Sequence, residues 1–177
     1  MDAARRRFLS FLALGGVATL PKAKGAPSQE EVLSLALAAE ELAREVYRRA
    51  VAARPFRGPW ATYLEAALAQ EEAHLKALQD AIRSLGGKPV ERPQFVYPIQ
   101  FLPSTRLQVL RLLNALEDAF VGAYLGALPL LQNKDLVKAA GSILGNEAVH
   151  RALIRDSRLS LKDPELPGPR VPNDQAF

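Results

Sequence analysis

The sequence predicts an all-α protein, a four-helix bundle with a long crossover between its second and third helices. Four segments carry apolar residues at alternating steps of three and four, the spacing of a helix that packs along one side. Each segment has a glutamate in the middle of its apolar stripe. Residues 88–104, between the second and third segments, contain four prolines, a spacing through which no helix can run. Such a long crossover is required where the second and third helices of a bundle run parallel.

Length and composition agree with one bundle. With 177 residues, 49% of them hydrophobic, the chain is long enough for a single domain with a substantial core. It has no cysteine, which excludes disulfides, thiolate zinc sites and rubredoxin-type iron centres. Any metal must therefore be bound by oxygen and nitrogen atoms.

Residues 1–26 are predicted to be a signal peptide. Arg5, Arg6 and Arg7 precede a short apolar run that ends at Leu20, and small residues follow. This order is typical of a secretory signal, and it resembles the twin-arginine type that exports folded proteins. We therefore expect an exported protein, in the periplasm, outside the cell or on the cell envelope. An uncleaved amphipathic anchor is the alternative.

The net charge of +4 comes from this leader. It contains five of the 23 basic residues and one of the 19 acidic residues, so the remaining chain has 18 of each. A neutral chain lacks the basic surface that nucleic-acid binding requires. We expect no nucleic-acid partner, and membrane contact only through the leader.

The bundle itself is predicted to span residues 27–159. Helix one begins at the capping box Ser28–Glu31, and helix two spans roughly 60–85, with Trp60 as a packing residue. Helix three begins at a second capping box, Thr105–Gln108, and Pro129 perturbs or ends it. Helix four begins near Asn133. The predicted core stripes contain Leu33, Leu37, Glu40, Ala43, Tyr47 and Val51; Leu64, Leu68, Glu71, Leu75, Leu78, Ile82 and Leu85; Leu110, Leu113, Glu117, Phe120, Tyr124 and Ala127; and Leu136, Ala140, Ile143, Glu147, His150 and Ile154.

The fourth helix contains two glycines, and a proline-rich segment follows it. Gly141 and Gly145 weaken a helix, and they would allow close approach either of another helix or of a metal site. Residues 160–177 contain four prolines and are predicted to be an extended or disordered tail without a fifth helix.

The chemistry is concentrated in a repeated pair of residues. Glu71 and His74 are three residues apart, as are Glu147 and His150, and the chain has no other histidine. On a helix this spacing places both side chains on one face. Glu40 lies 31 residues before Glu71, and Glu117 lies 30 residues before Glu147. Each is followed seven residues later by a tyrosine, Tyr47 or Tyr124. The repeat predicts two helix pairs related by a pseudo-two-fold axis.

Four glutamates that converge in a bundle core would repel one another, and burying each costs several kcal/mol. Two divalent cations would offset four carboxylates, and two neutral imidazoles would complete the ligand set. Oxygen and nitrogen ligands favour iron or manganese. Tyr47 and Tyr124 are either packing residues or donors to a ligand carboxylate. Glu41 and Glu72 lie off the stripes and are predicted to be solvated.

The chain resembles ferritin-like proteins of the group that includes the desiccation-related proteins. The resemblance covers residues 28–157 and depends on the repeated Glu, Tyr and Glu-x-x-His positions, on residues 84–90, and on Leu116-Glu117 with residues 123–127. It implies a di-metal site whose ligands are Glu40, Glu71, His74, Glu117, Glu147 and His150. Glu71 and Glu147 would bridge or flank both metals, Glu40 and Glu117 would be terminal, and each histidine would bind one metal.

The resemblance implies redox chemistry at two iron or manganese ions, acting on Fe(II), O2 or peroxide. Whether the protein is an enzyme stays open. The alternatives are a non-enzymatic stress- or desiccation-related protein whose bundle is stapled by metal, a metal carrier, and a metal-free bundle whose polar residues set helix register. An isolated bundle or a homodimer is expected rather than a cage.

Overall fold

The computed structural model describes residues 27–90 and 105–166, and these confirm the all-α prediction. They form α1 (Gln29–Ala53), α2 (Pro59–Ser84), α3 (Arg106–Ala127) and α4 (Lys134–Ser160), with a 3-10 turn at Leu128–Leu130. The predicted signal peptide, most of the crossover and the end of the tail lie outside the described residues. Within those residues, no helix has the length and apolarity that crossing a membrane requires.

The helix ends follow from local sequence. At the start of α1, the Ser28 hydroxyl accepts from the Glu31 amide while the Glu31 carboxylate accepts from the Ser28 amide, so the predicted capping box is confirmed. At α3 the prediction is half right, because Thr105 accepts from the Gln108 amide but the Gln108 side chain bonds the Thr105 hydroxyl instead of its backbone. Pro129 lies in the 3-10 turn after α3, and Asn133 caps α4.

The helices form two hairpins that face each other. α1 packs mainly on α2, and α3 mainly on α4, while α1–α3 and α2–α4 contacts join the pairs. Tyr47 on α1 bonds Glu117 on α3, and Tyr124 on α3 bonds Glu40 on α1, so these two helices run antiparallel. The short α1–α2 connection makes that pair antiparallel as well. It follows that α2 and α3 run parallel, as the Pro-rich crossover predicts.

Two apolar clusters flank a polar layer at the middle of the bundle. One contains Leu42, Ala43, Tyr47, Ala50, Phe56, Leu64, Ala67, Val109, Leu110, Leu113, Leu116, Phe120 and Ile154. The other contains Val32, Leu33, Leu37, Leu75, Leu78, Ile82, Tyr124, Leu131, Leu136, Ala140 and Ile143. The six predicted ligand residues lie between them. Burial of the two clusters stabilises the bundle and excludes bulk water from both sides of this layer.

Three expectations require correction. A Cβ built at Gly141 or Gly145 has no neighbour within 4 Å among the described residues, so neither glycine permits a close approach there. Glu41 is not solvated, because its side chain is 11% exposed and accepts from Arg44. Glu72 is exposed, as predicted.

The third correction concerns the tail. Residues 161–166 form a turn that packs on α3 and α4, although an extended or disordered segment was predicted. The Asp163 carboxylate, fully buried, accepts from Arg111 and from Arg158. Arg158 also donates to Asn114. Ion pairs with Arg111 and Arg158 therefore hold residues 161–166 of the predicted tail against α3 and α4. The rest of the predicted tail, 167–177, lies outside the described residues.

Candidate metal centre

The structure brings all six predicted ligand residues together in the polar layer. α1 contributes Glu40, α2 contributes Glu71 and His74, α3 contributes Glu117, and α4 contributes Glu147 and His150. The four glutamates are fully buried, His150 is 1% exposed and His74 is 8% exposed. Each residue lies on the apolar stripe of its helix. When the four stripes pack against one another, the six side chains are brought together.

The six residues form two overlapping groups that could each hold a metal ion. We call Glu40, Glu71, His74 and Glu147 the His74 position, and Glu71, Glu117, Glu147 and His150 the His150 position. Within each group the ligand atoms all lie within 4.8 Å of one another. Glu71 and Glu147 belong to both groups, the arrangement expected of carboxylates that bridge two ions.

Both imidazoles turn Nδ1 toward the carboxylates. His74 Nδ1 lies 2.9 Å from Glu147 Oε1 and 3.5 Å from Glu71 Oε2. His150 Nδ1 lies 3.2 Å from Glu71 Oε1 and 3.6 Å from Glu147 Oε2. None of these contacts has hydrogen-bond geometry at Nδ1. The nitrogen and oxygen atoms of each group thus surround a common point in space.

The pattern of unsatisfied atoms fits two cations. Among the described residues, both carboxylate oxygens of Glu71 and of Glu147 are buried without a hydrogen-bond partner, as are one oxygen each of Glu40 and Glu117 and both Nδ1 atoms. A buried polar atom without a partner costs about 1–3 kcal/mol, and more when charged. A divalent cation at each position would satisfy these atoms. The donor set is oxygen and imidazole nitrogen only, which suits iron or manganese.

The tyrosines account for the remaining oxygens of the terminal glutamates. The Tyr47 hydroxyl donates to Glu117 Oε1, and the Tyr124 hydroxyl donates to Glu40 Oε1. Of the two roles considered for these tyrosines, the structure therefore shows the hydrogen bond to a carboxylate. Each bond crosses between α1 and α3, so each tyrosine serves the glutamate of the other repeat. One oxygen of Glu40 and of Glu117 is left for a metal, as a terminal ligand requires.

The pKa values show how the centre balances its charge without a cation. Burial raises the pKa of Glu40 to about 8, although His74 opposes the change. Burial, with the charges of Glu147 and Glu71, also raises the pKa of Glu117 well above its usual range. Burial would lower the pKa of the histidines, but nearby carboxylates raise it to about 12 for His74 and about 9 for His150. These four groups hold protons that a metal must displace.

Glu147 stays ionised in the buried centre. Burial acts to raise its pKa, but His150 and His74 together lower it to about 2. The ionised Glu147 therefore lies between two imidazolium groups in the metal-free centre. Glu147 belongs to both metal positions. A bound cation would therefore replace the protonated histidines as the positive charge that balances its carboxylate.

Three polar residues near the centre were not among the sequence predictions. Gln70 Oε1 lies 2.6 Å from His150 Nε2. The Tyr63 ring meets His150 edge-on at 6.1 Å between centroids, and its buried hydroxyl has no hydrogen-bond partner among the described residues. Asn146 has a buried Oδ1 that is likewise unpaired. Gln70 and Asn146 each directly precede the glutamate of a Glu-x-x-His pair, a repeat visible in the sequence.

Comparison with known proteins shows a similar fold. No curated protein matches the chain. One matching solved structure is the bacterioferritin-related protein from Bacteroides fragilis, a dodecameric thioferritin, at 19% identity and a TM-score of 0.65. The match covers 90% of this chain and 96% of that one, and at this identity it establishes the fold alone.

The family assignment depends on a separate match. A family model described as a ferritin-like domain matches residues 28–159, about three quarters of the chain. All four helices lie within this range, apart from the last residue of α4. The chain therefore belongs to the ferritin-like domain family.

Proposed function

We propose that this protein is an exported di-metal carboxylate protein that uses two iron or manganese ions in redox chemistry with Fe(II), O2 or peroxide. One observation carries the proposal. The two glutamates shared by the metal positions, Glu71 and Glu147, have four buried oxygens, and none of these is hydrogen-bonded to a described residue. Bridging two cations would satisfy them, whereas a single cation would leave several carboxylate oxygens without a partner.

The chain's own residues have distinct tasks in this proposal. Glu71 and Glu147 would be shared by both ions, Glu40 and Glu117 would each offer one oxygen, and the histidines would each offer Nδ1. Tyr47 and Tyr124 hold the terminal carboxylates in place by bonding their other oxygens. When bound, the two ions would supply one-electron steps toward O2 or peroxide.

Burial restricts what reaches the centre. The four glutamates have no exposed surface, and the apolar clusters close both ends of the layer. His74, with 8% exposure, is the most accessible of the six. We infer that the centre acts on single metal ions and small oxidants that arrive on the His74 side. Large organic substrates do not fit this geometry.

Metal content and turnover together test the proposal. Protein purified without added metal, then reconstituted with Fe(II) or Mn(II), is expected to hold about two ions per chain. Changing both histidines, in His74→Ala with His150→Ala, should abolish the binding, while Glu72→Ala, on the exposed face of α2, should not. Iron would direct assays to Fe(II) oxidation, and manganese to peroxide disproportionation. No metal after reconstitution would overturn the proposal.

The same assays separate enzymatic from structural use of the metal. A stress- or desiccation-related protein stapled by metal would bind two ions and melt at a higher temperature, but it would consume neither oxidant nor Fe(II). A metal carrier would instead release its ions readily to a chelator. The proposed enzyme would turn over repeatedly and keep its ions under the same chelator challenge.

Export and assembly are proposed on separate grounds. The twin-arginine-like leader supports export, and fractionation of host cells tests it: replacing Arg5 and Arg6 by lysine should retain the protein inside the cell.

For assembly, the Bacteroides fragilis relative is dodecameric, which supports self-association of ferritin-like bundles. We propose a homodimer for this chain, and light scattering of the purified protein would distinguish a monomer, a dimer and a dodecamer.

A further inference from the structure

Gln70 holds His150 in a defined orientation. It lies on α2, and its side-chain oxygen is 2.6 Å from Nε2 of His150 on α4. Because an amide oxygen can only accept, Nε2 must carry the hydrogen, which directs Nδ1 to the carboxylates. The partner of a histidine's second nitrogen fixes both the tautomer and the ring orientation of a metal ligand. His150 is thus prepared to bind through Nδ1.

His74 lacks an equivalent partner. Within the described residues, its Nε2 makes no hydrogen bond, and its side chain is 10% exposed against 1% for His150. No described side chain therefore fixes the tautomer and ring orientation of His74 through its second nitrogen. A ligand that is less well oriented before binding gives a lower net free energy of binding at the His74 position.

The repeat identifies the residue that would fill this role. Asn146 precedes Glu147 as Gln70 precedes Glu71, so Asn146 is the counterpart of Gln70. The tyrosines show that supporting side chains cross between repeats, since each bonds the glutamate of the other repeat. Gln70 likewise supports the histidine of the other repeat, His150. The repeat therefore predicts that Asn146 would support His74. Asn146 is one methylene shorter, and its Oδ1 is buried without a partner among the described residues.

We propose that Gln70 is a positioning residue that makes the His150 position the tighter of two unequal metal positions, and that Asn146 leaves the His74 position weaker and exchangeable. This inference rests on the proposed di-metal function. The His150 position fills first and keeps its ion. The His74 position, which is more exposed, is where an ion from solution enters and leaves.

The test is a titration of metal-free protein with Mn2+, followed by calorimetry and by loss of the free-ion paramagnetic resonance signal. The wild-type chain should bind in two steps of different affinity. His150→Ala should remove the tighter step, and His74→Ala should remove the weaker step. The inference is overturned if the steps have equal affinity, or if His74→Ala removes the tighter one.

Reciprocal exchange of the two amides tests the cause. Gln70→Asn should weaken the tight step by about 10-fold or more, as loss of a partner to a metal ligand does. Asn146→Gln should strengthen the weak step. Gln79→Asn, the same change elsewhere on α2, is the matched control and should leave both steps unchanged. If Gln70→Asn behaves like the control, Gln70 has no positioning role.

The outcomes separate this inference from the function beneath it. A wild-type chain that binds no Mn2+ and no Fe2+ would overturn the di-metal proposal together with this inference. Two ions bound with equal affinity, unaffected by Gln70→Asn, would leave the di-metal proposal intact and overturn the inequality alone. Thermal melting of each metal-free variant checks that the fold is retained. For Gln70→Asn this is expected, because Gln70 lies on an exposed part of α2.

Discussion

Tyr124 on α3 donates a hydrogen bond to Glu40 on α1, and Tyr47 on α1 donates one to Glu117 on α3. In each bond, the tyrosine of one repeat supports the glutamate of the other repeat. Together the two bonds link the hairpins at the metal centre. Each bond occupies one oxygen of a terminal glutamate, so it both links the hairpins and shapes the ligand set.

Loss of this bond should leave the terminal carboxylate less well oriented for a metal ion. We therefore expect that metal binding becomes about 10-fold weaker in Tyr124→Phe, which affects Glu40, and in Tyr47→Phe, which affects Glu117. Each should also destabilise the metal-free protein by about 1 kcal/mol, the usual value of one hydrogen bond. Calorimetric titration and urea unfolding measure the two effects. Tyr63→Phe is the control, since the Tyr63 hydroxyl donates no hydrogen bond to a described glutamate. Equal effects at Tyr63 and Tyr124 would count against the assigned role.

Glu117 and Glu147 should respond differently to the same change. The pKa of Glu117 is raised by burial, so its carboxyl is protonated and resembles a glutamine amide in charge. Glu117→Gln should then leave metal-free stability nearly unchanged. Glu147→Gln should destabilise the metal-free protein, because it removes the anion between two protonated histidines. Both variants should lose tight metal binding. Urea unfolding of metal-free protein distinguishes them, and a stabilised Glu147→Gln variant would contradict the charge assignment.

The metal-free protein should lose stability as the pH rises. Glu40, with a normal pKa of 4.5, is raised to about 8, and His150, with a normal value of 6.5, is raised to about 9. A raised pKa in the folded state gives stability that is present at low pH and is lost as the pH rises through the folded value. The loss from these two groups therefore falls between about pH 5 and pH 9.

Urea midpoints of metal-free protein at about pH 6 and pH 9 measure this loss. The groups with lowered pKa, such as Glu45 and Glu147, change stability only in acid, since both values are about 2. Metal-loaded protein is the control. Metal binding releases protons, so its stability should rise with pH over the same interval. A metal-free midpoint that rises with pH would show that the histidines and Glu40 are not protonated as described.

Two glycines of α4 offer a gain in stability. A Cβ at Gly141 or Gly145 meets no described atom within 4 Å, so alanine fits without strain. Gly141→Ala and Gly145→Ala should each stabilise the bundle by about 0.5–1 kcal/mol through helix propensity. Gly86→Ala is the contrasting control: it is equally open, but Gly86 has φ of 79°, which should make alanine destabilising. Thermal melting orders the variants, and destabilisation by Gly141→Ala would point to a contact outside the described residues.

Asp163 anchors the turn after α4. Its fully buried carboxylate bonds Arg111 and Arg158, and its pKa is held well below the usual range, where burial is outweighed by the bond from Arg111. Asp163→Ala would leave Arg158 buried without its carboxylate, which costs about 3–5 kcal/mol for a buried pair. Glu165→Ala removes an exposed partner of Arg111 and should cost under about 1 kcal/mol. Chemical denaturation would reveal the difference, and equal losses would exclude the anchoring role.

Most of the fold could be read from the sequence. Glutamates in the middle of apolar stripes, caps such as Ser28 and Asn133, and the prolines of the crossover are local signals, and local signals determine where helices begin, end and face. The ligand candidates followed from the same reasoning, because a repeated Glu-x-x-His on a core-facing stripe is unfavourable without a cation. The identity of these six residues as ligands stays a prediction, although the structure brings them together.

What the sequence by itself determined was therefore the order of the helices, their inward faces and the six residues on those faces. Only the tertiary structure decided which side chains meet across helices. Tyr124 bonds Glu40 because α1 and α3 run antiparallel. Gln70 on α2 contacts His150 on α4, and Asp163, after α4, pairs with Arg111 on α3. Spacing along one helix carries no information on the relative height of its neighbours. Those contacts depend on how the two hairpins dock and on side-chain length. The Gln70 side chain pairs with His150, whereas the shorter Asn146 has a buried Oδ1 without a partner among the described residues.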